Sequence, residues 1–302
     1  MNKVAITTTS FGKYDNEPLD LLRRNGFETV LNPYGRKLKK EEVFELCRDA
    51  VGVIAGTETL DADTLEKLTT VKVISRCGTG LDNVDLDIAK KLGIKVFNTP
   101  DAPTIAVAEL TIGLILNLLR KINCMDFAFR QDRWEKLMGN LLYGKKVGII
   151  GFGRIGKKVA ELLKHFGCKI KYYDTRVVVE RQDAERVELS ELLKDSDIIS
   201  IHVSTKEQII GENEIRQMKK GAWLVNVSRG GVVDENALYH ALRGGHLAGG
   251  AIDVFVHEPY NGPLKELYNV ILTPHIGSYA KEARIRMETD AVENLLKGLE
   301  ET

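Results

Sequence analysis

A chain of 302 residues exceeds what one core usually serves, so about two domains are expected, each large enough to fold without disulfides or bound metal. Its 43 basic and 43 acidic residues cancel, which removes the electrostatic footprint of a nucleic-acid binder, and no block of like charge marks a membrane surface. The expected partner is therefore a small molecule or a second copy of the chain.

Cys47, Cys77, Cys124 and Cys168 are scattered and form no CxxC pair. Neither a metal site nor a disulfide framework is suggested, and a reducing cytoplasm fits. The N-terminus leads almost directly into a strand-like VAITTT without an apolar signal core. The most apolar helix, around ILNLL, is expected to fall short of the roughly 18 residues a membrane span needs. A soluble, unexported protein is expected.

In chain order, the β-rich runs VAITTT, VGVIAG, VKVISR and IKVFNT alternate with helical segments such as DADTLEKL and DLDIAKKLG. That rhythm predicts a parallel sheet with helices on both faces. Next comes a helix of about 18 residues opened by Pro103, with Ile105, Ala108, Ile112, Ile115 and Leu119 spaced to face inward. Lys121 to Tyr143 is weakly periodic, holds Trp134 and reads as an arm or subunit contact. A second series, KVGIIG, KIKYYD, DIISIHV, WLVNVS, AGGAIDVF and NVILTPH, predicts a second doubly wound sheet. A final helix from about Tyr279 to Leu299 has no strand after it and is expected to return to the first domain.

Within KVGIIGFGRIGKKVAELL, Gly151, Gly153 and Gly156 form a GxGxxG between a strand and a helix. The first glycine suits a tight turn, the second lets backbone approach a pyrophosphate, and the third lets helix and strand pack closely. The helix start offers amide hydrogens to the phosphates. Asp174 closes the next strand at about the spacing where an acid meets the adenosine ribose. A carboxylate there accepts from a ribose diol and repels a 2′-phosphate, which favours NAD over NADP, although Arg176 lies two residues on.

Three later strands end in complementary chemistry. Arg229, in VNVSRGG, is suited either to clamping a carboxylate or to a surface ion pair. AIDVFVHEP carries Asp253, His257 and Glu258, and LTPHIGS carries His275. Glu258 paired with His275 would fix the imidazole tautomer and make a proton donor and acceptor near neutral pH. His202, ending DIISIHV, reads as structural, and Cys77 reads as a small buried residue.

The motifs GFGRIG, YYD, VNVSRGGVVDENAL, GGAIDVFVHEP and VILTPHIG, in this order, resemble the D-isomer-specific 2-hydroxyacid dehydrogenase family. With RCGTGLDNVD and NTPDAPTIAVAEL they are most similar to its phosphoglycerate dehydrogenase branch. The resemblance implies a flavodoxin-like substrate domain from residues 1–99 plus 279–302, and a Rossmann NAD domain from 100–278. It implies that Arg229 orients the substrate, that Glu258 supports His275 and that His275 is the acid/base. It places cofactor contacts on Thr79, Arg154, Ile155, Asp174, Val203, Val227, Ser228, Asp253, Gly277 and Ser278, beside the glycine turn. Substrate contacts fall on Gly56, Thr57, Cys77, Gly78 and Gly80, with the Cys77–Gly80 turn presenting backbone amides to the carboxylate. A homodimer through the NAD domain is also implied.

This chain departs from the branch in three places. VIAGTETL puts Gly56 and Thr57 where an Arg-Ser pair suits a substrate phosphate, HVSTKEQIIGENEI is about two residues short, and the C-terminal regulatory module of the long members is not expected. The expected substrate pair is still 3-phosphoglycerate and 3-phosphohydroxypyruvate, with Lys136 of a neighbouring subunit as the candidate phosphate cation or, equally, a solvated surface lysine. The alternatives are a glyoxylate or hydroxypyruvate reductase and, in another class, a non-enzymatic NAD-sensing corepressor-like protein.

Overall fold

A computed structural model describes residues 2–177 and 184–301. Along the chain run β1 (Asn2–Ile6), α1 (Glu17–Arg24), β2 (Phe27–Leu31), α2 (Lys40–Cys47), β3 (Ala50–Ala55), α3 (Ala62–Lys67), β4 (Val73–Arg76), α4 (Leu86–Lys91) and β5 (Lys95–Asn98). There follow α5 (Pro103–Arg120), α6 (Ile122–Phe129), β6 (Lys146–Ile150), α7 (Arg154–His165), β7 (Lys169–Tyr173), β8 (Glu185–Arg186), α8 (Leu189–Asp195), β9 (Ile198–Ile201), α9 (Glu212–Gln217), β10 (Ala222–Asn226), α10 (Glu235–Arg243), β11 (Leu247–Ile252), β12 (Val270–Leu272) and α11 (Lys281–Glu300). Several of the helices start where the sequence supplies an acceptor. Asp61, Asp85 and Asp234 each cap a following helix by accepting a backbone amide, a contact worth about 1 kcal/mol.

The chain divides into two compact units, Met1–Pro103 with Ser278–Thr302, and Thr104–Gly277. The division falls a few residues after the expected end of the first segment, and Ser278 belongs with the returning helix. Unit 1 holds a parallel five-stranded sheet in the order β2-β1-β3-β4-β5, and unit 2 a parallel seven-stranded sheet in the order β12-β11-β10-β9-β6-β7-β8. In each sheet the chain winds first to one side and then to the other, so the crossovers part at one place: between β1 and β3 in unit 1, and between β6 and β9 in unit 2. Such switch points open a crevice at the carboxyl ends of the strands.

Register fixes what lies there. Ile150 pairs with Ile201, which sets Gly151 beside His202. Asn226 pairs with Ile252 and accepts from the Asp253 amide at 3.0 Å. In unit 1, Ile6 pairs with Ile54 and the Thr7 amide donates to Ile54 O at 3.0 Å.

Apolar side chains cover both faces of each sheet. In unit 1, Met287, Ala291, Val292 and Leu295 of α11 complete the core against β1, β3 and β4. Two expectations are corrected. Ile105 is 58% exposed while Ala108, Ile112, Ile115 and Leu119 are buried, because the first turn of α5 buries Pro103 and Ala106 and leaves Ile105 on its outward side. Helix α5 also has 18 residues with a mean hydropathy of 1.4, long and apolar enough to cross a membrane by length and composition alone. Its buried face, however, packs into the core of unit 2 with Val147, Ile149 and Val159.

Candidate active site

The strand β6 ends at Ile150 and the chain turns at once into α7 through the three glycines. Gly156 has no room for a side chain: a Cβ there would lie 2.1 Å from Gly151 O. This close packing lets α7 start directly at the strand end. Gly153 caps α7 without a side-chain acceptor, and Arg154 and Ile155 open the helix directly after it. Val203 lies against Gly151 from the neighbouring strand end.

Asp174 follows β7. Its Oδ2 accepts from the Phe152 amide at 2.6 Å, and its Oδ1 from the amides of Arg176 and Val177 at 2.8 Å each. Burial pushes the carboxyl up, but these amides and the Arg186 charge outweigh it and hold the group below its ordinary value. An ionised acid thus stands at the glycine turn, and Arg176 beside it is exposed. The close approach at Gly156, the α7 amides and this carboxylate together fit a dinucleotide.

On the other side of the switch point, the turn after β10 presents Arg229. Buried Asn226 shapes it: Oδ1 accepts from the Ser228 amide at 3.1 Å and hydroxyl at 2.7 Å, and Nδ2 donates to Arg229 O at 3.1 Å. Val227 and Ser228 are buried beneath the turn. Gly230 then passes so near the chain after β11 that a Cβ would lie 1.9 Å from Phe255 O. Asn226 was not among the expected functional residues, and the signal for it was a polar residue closing the apolar strand AWLVN.

His275 and Glu258 meet. The imidazole Nδ1 lies 3.1 Å and 3.0 Å from the two carboxylate oxygens, and the Phe255 amide donates to Glu258 Oε1 at 3.1 Å. The pairing commits Nδ1 and leaves Nε2 as the nitrogen for proton exchange. His257, next in sequence, is exposed and takes no part in the pair.

His275 has φ 55°, a left-handed conformation that costs a non-glycine residue about 1–3 kcal/mol. The loop is held by Asp253, only 1% exposed. Its Oδ1 accepts from Thr273 Oγ1 at 2.6 Å and from the Ile276 amide at 2.8 Å, and its Oδ2 from the Gly277 amide at 2.9 Å. Burial raises the Asp253 carboxyl even though Thr273, the two amides and His275 oppose it. The sequence assigned Asp253 and Gly277 to the cofactor, and their contacts here are with each other in the loop that carries His275. His202 is neutral, its ring pushed down to about 3 by burial, and its Nε2 lies 2.8 Å from Ser200 Oγ.

Thr79, Ser278 and the remaining substrate candidates belong to unit 1. One expectation about them is corrected. In the Cys77–Gly80 turn the Cys77 amide donates to Ala55 O at 2.9 Å and the Gly78 amide to Thr99 Oγ1 at 2.8 Å. Two of the four amides are therefore used inside the fold, because the turn is tied to β3 and to the end of β5. Asn98 Nδ2 adds a 2.6 Å bond to Thr79 O. Burial pushes the Cys77 thiol up to about 11, which removes it as a nucleophile.

The family model for the NAD-binding domain of D-isomer specific 2-hydroxyacid dehydrogenases matches residues 112–277. A D-3-phosphoglycerate dehydrogenase of Methanocaldococcus jannaschii is 42% identical over 273 residues, 87% of this chain but 52% of the relative, so the chain spans about half of that protein. A hydroxypyruvate reductase of Thermotoga maritima is 38% identical over 300 residues, covering 94% of this chain and 97% of the relative. Among solved structures, the TT0316 protein of Thermus thermophilus superposes with a TM-score of 0.93 at 36% identity, over 99% of this chain and 97% of the other.

Proposed function

The chain belongs to the D-isomer specific 2-hydroxyacid dehydrogenase family, and we propose that it interconverts a small 2-keto acid and the corresponding D-2-hydroxy acid with NAD as cofactor. The observation that carries this reading is the His275–Glu258 pair at the carboxyl edge of the sheet that also presents Arg229. Arg229 binds the substrate carboxylate and polarises the neighbouring carbonyl. His275, protonated, gives its Nε2 proton to the C2 oxygen during reduction and takes it back during oxidation, and Glu258 stabilises the imidazolium between those events. Bound NAD supplies or accepts the hydride at C2. Gly151, Gly153 and Gly156 with the α7 amides hold its pyrophosphate, and Asp174 holds the adenosine ribose.

For the substrate, the sequence favours the phosphorylated three-carbon acid, while the relatives include both a phosphoglycerate dehydrogenase and a hydroxypyruvate reductase. One observation supports the unphosphorylated reading: the end of β3 supplies Gly56, Thr57 and Glu58, with no cation in the place of the Arg-Ser pair. Lys136, the alternative phosphate cation, is exposed on the arm after α6.

That arm supports a homodimer through unit 2. Phe127, Phe129, Trp134, Met138, Leu141 and Tyr143 are all exposed, Trp134 by 78% and Met138 by 88%, an apolar surface of the kind that a partner subunit covers. The free cysteines suit a reducing cytoplasm.

The test is NADH oxidation against hydroxypyruvate, 3-phosphohydroxypyruvate, glyoxylate and pyruvate, with the handedness of the product determined. Turnover yielding the D-acid is expected. Tight NADH binding without turnover of any keto acid would transfer the chain to the NAD-sensing class, and a monomer in sedimentation would remove the dimer.

A further inference from the structure

The loop that carries Glu258 is held from outside by an acid that the hydride and proton transfers do not use. Helix α10 begins shortly after the Arg229 turn, where Asp234 caps it by accepting from the Asn236 and Ala237 amides at 2.9 Å and 3.0 Å. The next residue, Glu235, reaches across to the chain after β11, and its Oε1 accepts from the Val256 amide at 2.8 Å. The Asp234 amide donates to Ile210 O at 2.8 Å, so the start of α10 is itself anchored to the main chain that follows β9.

This contact grips one peptide unit, the one that joins Phe255 to Val256. Its N–H goes to Glu235, and its carbonyl lies against Gly230, where a Cβ would come within 1.9 Å of Phe255 O. The segment that runs from Arg229 into α10 therefore holds both ends of that peptide. The preceding peptide supplies the Phe255 amide, which donates to Glu258 Oε1 at 3.1 Å, and the Phe255 ring stacks on Tyr260 with centroids 4.3 Å apart. Phe255 is buried, whereas Val256, His257 and Glu258 are exposed. Side-chain packing thus stops at Phe255, and beyond it the path of the loop is set through the backbone.

An acid in the first turn of a helix has a commoner explanation, the attraction of a carboxylate to the positive end of the helix. Glu235 does more. Its carboxylate is bonded to the Glu258 loop and lies close to Tyr260, whose hydroxyl is pushed up by burial and further by the Glu235 charge, against the Leu264 amide. No cation pairs with Glu235 among the described residues. A carboxylate that accepts from a backbone amide makes a charge-assisted bond, stronger than one between neutral groups.

Resting on the reading of His275 and Glu258 as the acid/base pair, we infer that Glu235 is a positioning residue: through the Phe255–Val256 peptide it holds Glu258 where it meets His275, and it joins that pair to the turn that presents Arg229. It acts on the reaction through Glu258.

The experiment measures kcat and KM with the keto acid that turns over fastest, NADH binding by fluorescence and thermal unfolding. The variants are Glu235→Ala, Glu235→Gln and Glu235→Asp, with the alanine change repeated in a Glu258→Ala background. Glutamine keeps an acceptor oxygen at the same reach and loses the charge, while aspartate keeps the charge and falls a methylene short. Glu235→Ala and Glu235→Asp should lower kcat about tenfold, the effect of one charge-assisted contact. KM and NADH affinity should stay within about twofold of the wild type, and Glu235→Gln should keep kcat within about threefold. In the Glu258→Ala background the alanine change should alter kcat by less than about twofold, because the group that Glu235 positions is gone.

A purely structural role would lower kcat by the same factor in both backgrounds and would overturn the inference. So would a wild-type kcat in both Glu235→Ala and Glu235→Asp, a loss confined to KM, or a glutamine variant as slow as the alanine one, which would assign the effect to charge at the helix start. Wild-type turnover in Glu258→Ala alone would overturn the acid/base reading and this inference with it. Should Glu235→Ala not fold, Glu235→Asp takes its place in both backgrounds, with the same outcomes.

Discussion

At the switch point of the seven-stranded sheet, the chain places glycines, a helix start without a side-chain cap and a carboxylate tied to backbone. The same point in the five-stranded sheet carries threonines, an asparagine and an acid whose partners are a hydroxyl and an amide. The winding is the same, yet one crevice offers donors to an anion and the other an acceptor. Architecture decides where a ligand goes in such folds, and the handful of side chains at the strand ends decides its charge.

Removing the acid/base group tests the donor-rich edge most severely. His275→Ala should lower turnover by roughly 10²–10⁴-fold while NADH binding, followed by fluorescence, persists. Glu258→Ala added to it should do little further harm, since two groups that act as a unit are not additive. Multiplicative losses would separate them and break the pairing. Because reduction consumes the imidazolium proton, keto-acid reduction should decline as pH rises and hydroxy-acid oxidation should decline as it falls.

A smaller effect is expected from Asp253→Asn, which turns one of the two acceptor oxygens of the loop brace into a donor, set against the Gly277 amide or against the Ile276 amide and Thr273 hydroxyl. Loss of such a buried bond costs about 1–3 kcal/mol. Thermal unfolding should register it, and turnover should drop more than NADH affinity because His275 sits in a conformation that the brace maintains.

Asp174→Ala should weaken NADH and narrow the gap to NADPH; wild-type efficiency that is equal with both cofactors would remove the acid from cofactor choice. Since the folded carboxyl lies below its ordinary value, the stabilisation is present above the unfolded carboxyl's pKa of about 3.9 and is lost as pH falls through the lower folded value. The stability gap between wild type and Asp174→Asn should therefore be seen at neutral pH and close in acid.

The smallest change belongs to the acceptor-rich crevice. Thr8→Val removes a buried hydroxyl that has no partner among the described residues, so stability should hold or rise slightly. A clear loss of stability would show the hydroxyl to be satisfied within the fold, weakening the contrast between the two edges.

Both sheets were legible in the sequence because alternation of strand and helix is a local signal, and the glycine turn was legible because three positions and one acid follow a fixed spacing. His275, Glu258 and Arg229 could be singled out from residue chemistry at strand ends. What could not be read was who holds them. Asn226 works through bonds to its own turn, Asp253 reaches residues about 20 further on, and Glu58 is held by the Thr7 hydroxyl 51 residues before it. Ile105 departs from its expected place because the spacing does not say which side of the first turn of α5 faces inward, and there Pro103 and Ala106 do.

The return of α11 to the first sheet also imposes an order of events during synthesis. β1 to β5 leave the ribosome early, but one face of their sheet is covered by Met287, Ala291, Val292 and Leu295, which are translated only after all of Thr104–Gly277. Until then that face is bare, and the first strands made belong to the last core completed. The contiguous second unit can close as soon as it emerges, since domains fold as units during elongation. Nascent chains arrested before Lys281 should accordingly show a protease-resistant Thr104–Gly277 fragment beside an N-terminal segment that is still digestible.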